Sequence, residues 1–347
     1  MPYQNSLVTT VIFKRVFLWL SVILLCCSLL LLCLPFISGR VGAYLELLSL
    51  CGFYVVVADL LVCLLLLLFR QKSYAVISIT ALIVAIYPVI RHYPFGSDKA
   101  NTTSSPVLTL VSCNIGNFNL DTRSLDEFAF NLRQYNPDII CLQERPHESL
   151  MSKDTIESRF KEYPYVAYNT REDEVLNLMV LSKYPIENAH TCNFENTYNK
   201  YLSIDLKVDT QKICLYNVHL QTTSVSDNAS SSLIRKLYGV VNNAAVRNQQ
   251  AELIYKEIET QSQSNIIVCG DFNSSIFSHS CQTVSSGLYD AAWLKPQTLI
   301  MSSYTASRFL PKIDHVFYKG DLVCSFYDMV VAGRTDHYMQ VSRFQLK

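Results

Sequence analysis

Along the first hundred positions apolar side chains run almost without a break; after position 106 they come in short bursts, each closed by polar residues. Residues 16–38 carry no charge and are rich in leucine. At about 1.5 Å per residue this run can cross a hydrocarbon layer of ~30 Å, and it is longer than the ~7–15 apolar residues of a cleaved leader. Residues 47–69 make a second run, interrupted only by Asp59, and residues 73–90 a third, with Pro88 near its end. The pattern predicts an N-terminal anchor of three transmembrane helices. Asp59 reads either as a functional intramembrane acid or as a group bonded between helices. Lys14 and Arg15 precede the first run and Arg70 with Lys72 fills the second turn, against Arg40 alone in the first turn. That bias puts the N-terminus in the cytoplasm and everything after residue 90 on the opposite side. Residues 91–106, rich in Pro, Ser, Thr and Asn, read as a linker.

From residue 107 the bursts have strand length. Strands are expected at 107–115, 138–142 (ending at Gln143-Glu144), 178–182, 201–208, 212–219, 265–269, 313–318 and 341–345, the fourth and fifth forming a hairpin through residues 209–211. Helical spacing of Leu125, Phe128 and Leu132 predicts a helix over 124–135, and a second is expected over 243–260. Many strands, few helices and no regular strand–helix–strand alternation suggest an α/β sandwich with its sheets at the centre.

Composition removes several chemistries. There is no G-x-G-x-x-G, no G-x-x-x-x-G-K-[ST], no G-x-S-x-G and no H-E-x-x-H, so dinucleotide, P-loop, serine-hydrolase and zincin readings lack support. None of the twelve cysteines forms C-x-x-C; Cys113, Cys141, Cys214 and Cys269 lie inside strand-like runs, where thiols behave as small hydrophobes. Only seven of 29 Lys/Arg and three of 29 Asp/Glu fall in the first 100 residues, which leaves the remainder acidic by four charges. Such a domain is a weak electrostatic match for nucleic acid.

Candidate chemistry lies where the strands stop. Asn114, Glu144, His219, Asp271 with Asn273, and Asp314 each close an apolar run, and Asp336-His337 precedes the last one. Glu144, Asp271, Asp314 and Asp336 are hard oxygen donors suited to Mg²⁺ or Mn²⁺, Asn114 and Asn273 can orient phosphoryl oxygens, and His219 and His337 can move protons. A lone D-x-N would read as an Asx turn; six such ends can share one mouth. The combination fits metal-assisted attack of water on a phosphate ester.

The same residues carry a resemblance. S-C-N-I at 112–115, D-I-I-C-L-Q-E at 138–144, Y-N-V-H-L at 216–220, G-D-F-N at 270–273, K-I-D-H-V-F at 312–317 and T-D-H-Y at 335–338 occur in that order, with L-S-K-Y-P-I at 181–186 between the second and third. Over residues 107–347 the chain resembles the endonuclease/exonuclease/phosphatase superfamily, and with its N-terminal third it is similar to bacterial membrane-anchored members. The resemblance implies a deoxyribonuclease-I-like four-layer α/β sandwich, two central sheets flanked by helices. It implies that Glu144 binds Mg²⁺ or Mn²⁺ with Asn114 and Asp336. Asp271 would orient or deprotonate the water. Asn273 would hold the phosphate, as would His219, which could also protonate the leaving group; Asn217 would support that pocket. His337, paired with Asp314, would polarise the phosphate or transfer a proton. The sequence departs from the family at Gly116, Ser274 to Ile276, Lys312 and Met339, none of which removes a candidate group. His315 reads as a packing residue, and Arg247 as either a surface residue or one reaching the site.

The leading expectation is therefore a membrane-anchored phosphodiesterase, endonuclease-like by family frequency. Its catalytic domain would lie on the periplasmic side of a bacterial inner membrane and act on nucleic acid or a phospholipid head group. Alternatives are a sphingomyelinase-like lipid phosphodiesterase, a phosphomonoesterase, or a non-catalytic module that binds phosphoryl ligands.

Overall fold

In β1 (Val107–Asn114) Leu108 and Leu110 point to one side and Val111 and Cys113 to the other, and all four are buried. A strand buried on both faces must lie between layers, and this one does. The computed structural model describes residues 2–37, 39–95, 106–169, 175–223, 232–299, 301–305 and 309–347. Among the described residues twelve strands form two six-stranded sheets. After β1 they are β2 (Ile139–Arg145), β3 (Tyr165–Tyr168), β4 (Asn177–Ser182), β5 (Ile186–Asn193), β6 (Lys200–Val208), β7 (Gln211–His219), β8 (Asn265–Asp271), β9 (Tyr289–Asp290), β10 (Asp314–Lys319), β11 (Leu322–Val331) and β12 (Tyr338–Leu346). The first sheet runs β11-β12-β1-β2-β4-β3 and the second β5-β6-β7-β8-β10-β9.

Each sheet holds one parallel pair, β1/β2 in the first and β7/β8 in the second, and every other pairing is antiparallel. A parallel pair needs a crossover, supplied by α5 (Thr122–Arg133) and α7 (Leu233–Thr260). Two strand–helix–strand units are thus present where no regular alternation was expected. Leu108, Leu110, Ile139 and Cys141 of the first sheet meet Leu202, Ile204, Leu215 and Ile267 of the second. Outside the first sheet lie Leu125, Phe128 and Leu132 of α5; outside the second lie Ile254 and Ile258 of α7 with Cys281 and Val284 of α8 (His279–Val284). The layers are helix, sheet, sheet, helix, as expected; the short α6 (Lys153–Glu157) completes the sandwich helices.

The N-terminal third differs from expectation in how its second apolar run is built. Two segments are long and apolar enough to cross a membrane: Lys14–Phe36, made by α1 (Pro2–Cys33) and the 3-10 turn after it (Leu34–Phe36), and Lys72–Ile90, which is α4. The run at 47–69 is not one helix: α2 (Gly39–Ser49) and α3 (Gly52–Leu68) meet at a 56° bend, and they pass the same test only as a pair. Hydropathy averages over such a break and cannot register it. Asp59 is buried and accepts a bond of 2.9 Å from Ser28, which ties α3 to α1.

Nor is 91–106 a free linker from its start. His92 is buried, its Nδ1 is 3.0 Å from the Leu288 carbonyl, and its own carbonyl accepts the Asp290 N–H; residues 96–105 of that segment lie outside the described ones. The α2 helix is also docked on the sandwich. Ala43 packs on Val241 and Ala244 of α7, Glu46 accepts the His279 N–H at 2.7 Å, and Ser275 donates to the Ser49 carbonyl at 2.9 Å.

Candidate active site

Parity along the strands decides what reaches the cleft between the sheets. On the inner face of β1 the series 108, 110, 112 ends on Asn114; on β7 the series 213, 215, 217 ends on His219; on β8 the series 267, 269 ends on Asp271. All three ends are C-terminal ends of parallel strands, where neighbouring side chains converge. β10 enters antiparallel to β8 with Asp314 opposite Asp271. Glu144 arrives by a bulge: pairing with β4 jumps from Leu142 to Arg145, and Glu144 takes a left-handed φ of 56° that turns its carboxylate into the cleft. Gly270, at φ 135°, lets β8 pass close to β7, because a Cβ there would collide with the Val218 carbonyl.

The groups thus delivered form one network. Asn114 Nδ2 donates to Glu144 Oε1 and to Asp271 Oδ2, both at 3.0 Å, while its Oδ1 accepts the Gly116 N–H. His219 Nε2 lies 3.5 Å from Glu144 and 3.7 Å from Asp271. His337 Nδ1 is 2.9 Å from Asp314, and its Nε2 is 3.8 Å from Asp271 and 4.0 Å from Asp336. Asp271 Oδ1 accepts the Asn273 N–H at 2.8 Å, and Asn273 Nδ2 donates to the Leu220 carbonyl. Glu144, His219, Asp271, Asn273, Asp336 and His337 all line one cavity of about 1250 Å³.

Asn217 is not at that cavity. Fully buried, it donates to the Leu142 and Met179 carbonyls and accepts from Gln143 at 2.6 Å, which stitches the two sheets together one residue pair below His219. The expected phosphate contact is thereby corrected. Arg247 is buried and reaches inward, donating to the Gln221 carbonyl and to Thr223, which itself donates to the Asn273 carbonyl. His315 packs between Phe272 and Phe317, its Nε2 3.0 Å from the Ser274 carbonyl. Two groups without an expected role hold the site in place: Thr335 bridges the Asn114 carbonyl and the His337 N–H, and Ser303 accepts the Ile313 and Asp314 N–H groups. Thr335 stands inside the T-D-H-Y block, so a signal for it existed; Ser303 had none.

Burial and charge set the protonation of these groups. Burial, reinforced by Asp314, raises Asp271 to about 6, against the lowering pull of His337, His219 and Asn114. Burial opposes charge on His337, but Asp314, Asp271 and Asp336 together outweigh it and hold the imidazolium up to about 10. Burial keeps His219 below its ordinary value and Glu144 above its own. Among the described residues, the donor atoms of Asp271, Asp314 and His337 come within 4.8 Å of one another, whereas the expected metal set was Glu144, Asn114 and Asp336. Since His337 Nδ1 is committed to Asp314, that trio is already satisfied internally. Three buried or half-buried carboxylates (Glu144, Asp271, Asp314) face one strongly charged imidazolium, and beside Glu144 lie the neutral Asn114 amide and His219, whose pKa burial lowers. This donor set fits a hard divalent cation on the Glu144 side.

Residues 111–337 match the profile of the Endonuclease/Exonuclease/phosphatase family, well over half of the chain. The chain belongs to this family. Its members are phosphoester hydrolases, usually metal-dependent. Solved structures of the same fold include a humanized D. rerio TDP2 (18% identity, TM-score 0.53, covering 69% of this chain and 99% of that one). The human Nocturnin catalytic domain with bound sulfate is 15% identical at TM-score 0.51, covering 70% and 96%. The endonuclease/exonuclease/phosphatase from Bacteroides vulgatus is 16% identical at TM-score 0.52, covering 70% and 100%. At such identities the likeness concerns the deoxyribonuclease-I-like fold. No curated protein sequence matches the chain.

Proposed function

We propose that this chain is a membrane-anchored, divalent-metal-dependent phosphodiesterase. One observation carries the reading: Asn114, Glu144, His219, Asp271, Asp314 and His337, drawn from six separated sequence blocks, gather into one cluster in which each has a polar atom within 3.8 Å of another, and four of them line one cavity. Glu144, with Asn114 and Asp336 in support, would hold Mg²⁺ or Mn²⁺. When bound, the cation would withdraw charge from a phosphoryl oxygen and offset the carboxylates around it.

The protein's own groups then have separable tasks. Asp271, poised near 6, is a base matched to neutral pH and accepts the proton of the attacking water. The water oxygen bonds to phosphorus, the P–O bond to the leaving alcohol breaks, and the cationic His337 stabilises the charge that gathers on the phosphoryl oxygens. Asp314 holds His337 in one tautomer and orientation. His219, less readily charged, hydrogen-bonds a phosphoryl oxygen or passes a proton to the departing oxygen. Asn273, anchored to Leu220 and Thr223, frames the phosphate.

The apolar lengths of α1 and α4, with Arg70 and Lys72 at the far end of the bundle, support an anchor whose catalytic domain lies on the non-cytoplasmic side. The test is hydrolysis of bis(p-nitrophenyl) phosphate by the full chain in detergent micelles, titrated with Mg²⁺ and Mn²⁺. Turnover that EDTA removes and Asp271→Asn abolishes supports the reading. Metal binding without turnover of any diester or monoester would leave only a ligand-binding module.

A further inference from the structure

A phosphodiesterase is defined as much by what hangs from the phosphate as by the phosphate itself. Besides Glu144 and Asp271, the active-site cavity is lined by Leu50, Cys51, Tyr54, Phe309, Leu310 and Pro311, which together make an apolar wall. Leu50 and Cys51 are the break between α2 and α3, and Tyr54 lies in the first turn of α3. The Tyr54 hydroxyl donates to the Phe309 carbonyl at 2.8 Å and joins the helical part of the wall to the loop. Behind it a second cavity of about 240 Å³ shares Leu50, Tyr54, Phe309 and Leu310 and continues between Phe53 and Phe277, with the Lys312–Asp290 ion pair in its polar lining. No Lys or Arg is found among the described residues that line the larger cavity.

The position of this wall relative to a bilayer follows from connectivity. Because α3 and α4 are joined by a short turn at Phe69 to Gln71, the start of α3 and the end of α4 lie at the same end of the bundle, the end that meets the sandwich. Exposed aromatic side chains collect there: Tyr54, Tyr87, Tyr93 and Phe95, with Phe309 beside them at 81% exposure. Aromatic rings at that level mark the boundary between hydrocarbon and water. An 81%-exposed phenylalanine beside the membrane end of a helix is costly in water and at home among lipid chains.

We propose that the substrate is a membrane lipid carrying a phosphodiester head group. It would be drawn from the leaflet in which the helices end, its phosphate at Asp271 and His337 and its hydrocarbon against the Leu50–Tyr54–Phe309–Leu310 wall. The inference rests on the phosphodiesterase reading and names its substrate class. A nucleic acid strand would need cations to neutralise successive phosphates; among the described lining residues there is no Lys or Arg beside His337, and Leu50, Phe309, Leu310 and Pro311 add apolar surface. In the reaction, water oxygen adds to phosphorus, the ester P–O bond to one alcohol breaks, and that alcohol leaves with a proton, so one product stays in the bilayer and the other enters solution.

The full chain, reconstituted in nanodiscs with Mg²⁺, is given three substrates in parallel: vesicles of phosphatidylethanolamine, phosphatidylglycerol and sphingomyelin; a single-stranded oligodeoxynucleotide; and bis(p-nitrophenyl) phosphate. Water-soluble and lipid products are quantified by mass spectrometry. The expected result is vesicle lipid turned over with kcat/KM at least tenfold above that for the oligonucleotide. Phe309→Ser combined with Leu310→Ser should lower the lipid value at least tenfold more than the value for the small soluble diester. Preference for the oligonucleotide, or equal loss on both substrates in the double variant, overturns the lipid assignment. Turnover of the small diester alone overturns it too but leaves the phosphodiesterase reading standing; no turnover of any of the three overturns both.

Discussion

The two walls of the active-site cavity are built by opposite means. The polar wall is a set of strand ends tied together largely by side-chain hydrogen bonds: Asn114 to Glu144 and Asp271, His337 to Asp314, Asn273 to Leu220. The apolar wall is a helix break leaning on a loop, joined by the bond from Tyr54 to Phe309. Directional bonds set positions to within tenths of an ångström, as chemistry at phosphorus demands. Packing without such bonds tolerates ligands of varied length, as holding a chain demands.

The largest expected effect is on the polar wall. Asp271→Asn should lower kcat on a soluble diester by about 10³-fold or more, the upper part of the range for losing a positioned base, and initial-rate measurements across Mg²⁺ concentrations check it. Removal of the divalent cation with EDTA should cause a loss of similar size, restored by excess Mg²⁺ or Mn²⁺.

Next comes the Asp314–His337 pair. With Asp314→Asn the imidazole loses its principal support, so the alkaline limb of the kcat profile should shift down from about 10 by at least a unit, with kcat at neutral pH falling about 10²-fold. The sign also reaches stability. His337 holds its proton more tightly folded than unfolded, where its pKa is about 6.5. The pair's contribution is therefore complete below about pH 6.5 and fades as pH rises toward 10. A thermal midpoint that falls over that window in the native chain, but not in His337→Gln, would confirm the linkage.

A smaller effect is expected between the walls. Arg247→Met removes two hydrogen bonds to the 221–223 loop that steadies Asn273, and kcat/KM should drop about tenfold, measurable as a combined fall in kcat and rise in KM. The smallest concerns the apolar wall's foundation. A Cβ at Gly52 would press into the buried Phe277 ring, so Gly52→Ala should cost about 1–3 kcal/mol and lower the melting temperature by several degrees. If Gly52→Ala instead cost as much activity as Asp314→Asn, the division of labour between the walls would be wrong.

The sequence disclosed the polar wall far better than the apolar one. Asn114, Glu144, His219, Asp271, Asp314 and His337 close or flank apolar bursts whose period-two pattern indicates a strand and which face its last residue occupies. Asn217 was misplaced because it shares parity with His219; what separates them is depth, two residues or about 7 Å along β7. β5 escaped notice because it is largely exposed and shows no apolar alternation, and β11 because a bulge between Cys324 and Phe326 breaks its period. The helix expected over 243–260 begins earlier, at Leu233, where the chain shows no regular apolar spacing. Contacts such as Tyr54 with Phe309, 255 positions apart, leave no local trace at all.

The docking of α2 and α3 on the sandwich has a practical corollary. A foreign membrane segment of equal length and greasiness, grafted before residue 107, would bring no carboxylate for the His279 amide, no glycine to admit Phe277 and no side for the mouth of the cavity. These helices are not interchangeable luggage; whoever trims them away to make the protein easier to handle would be studying half a vessel.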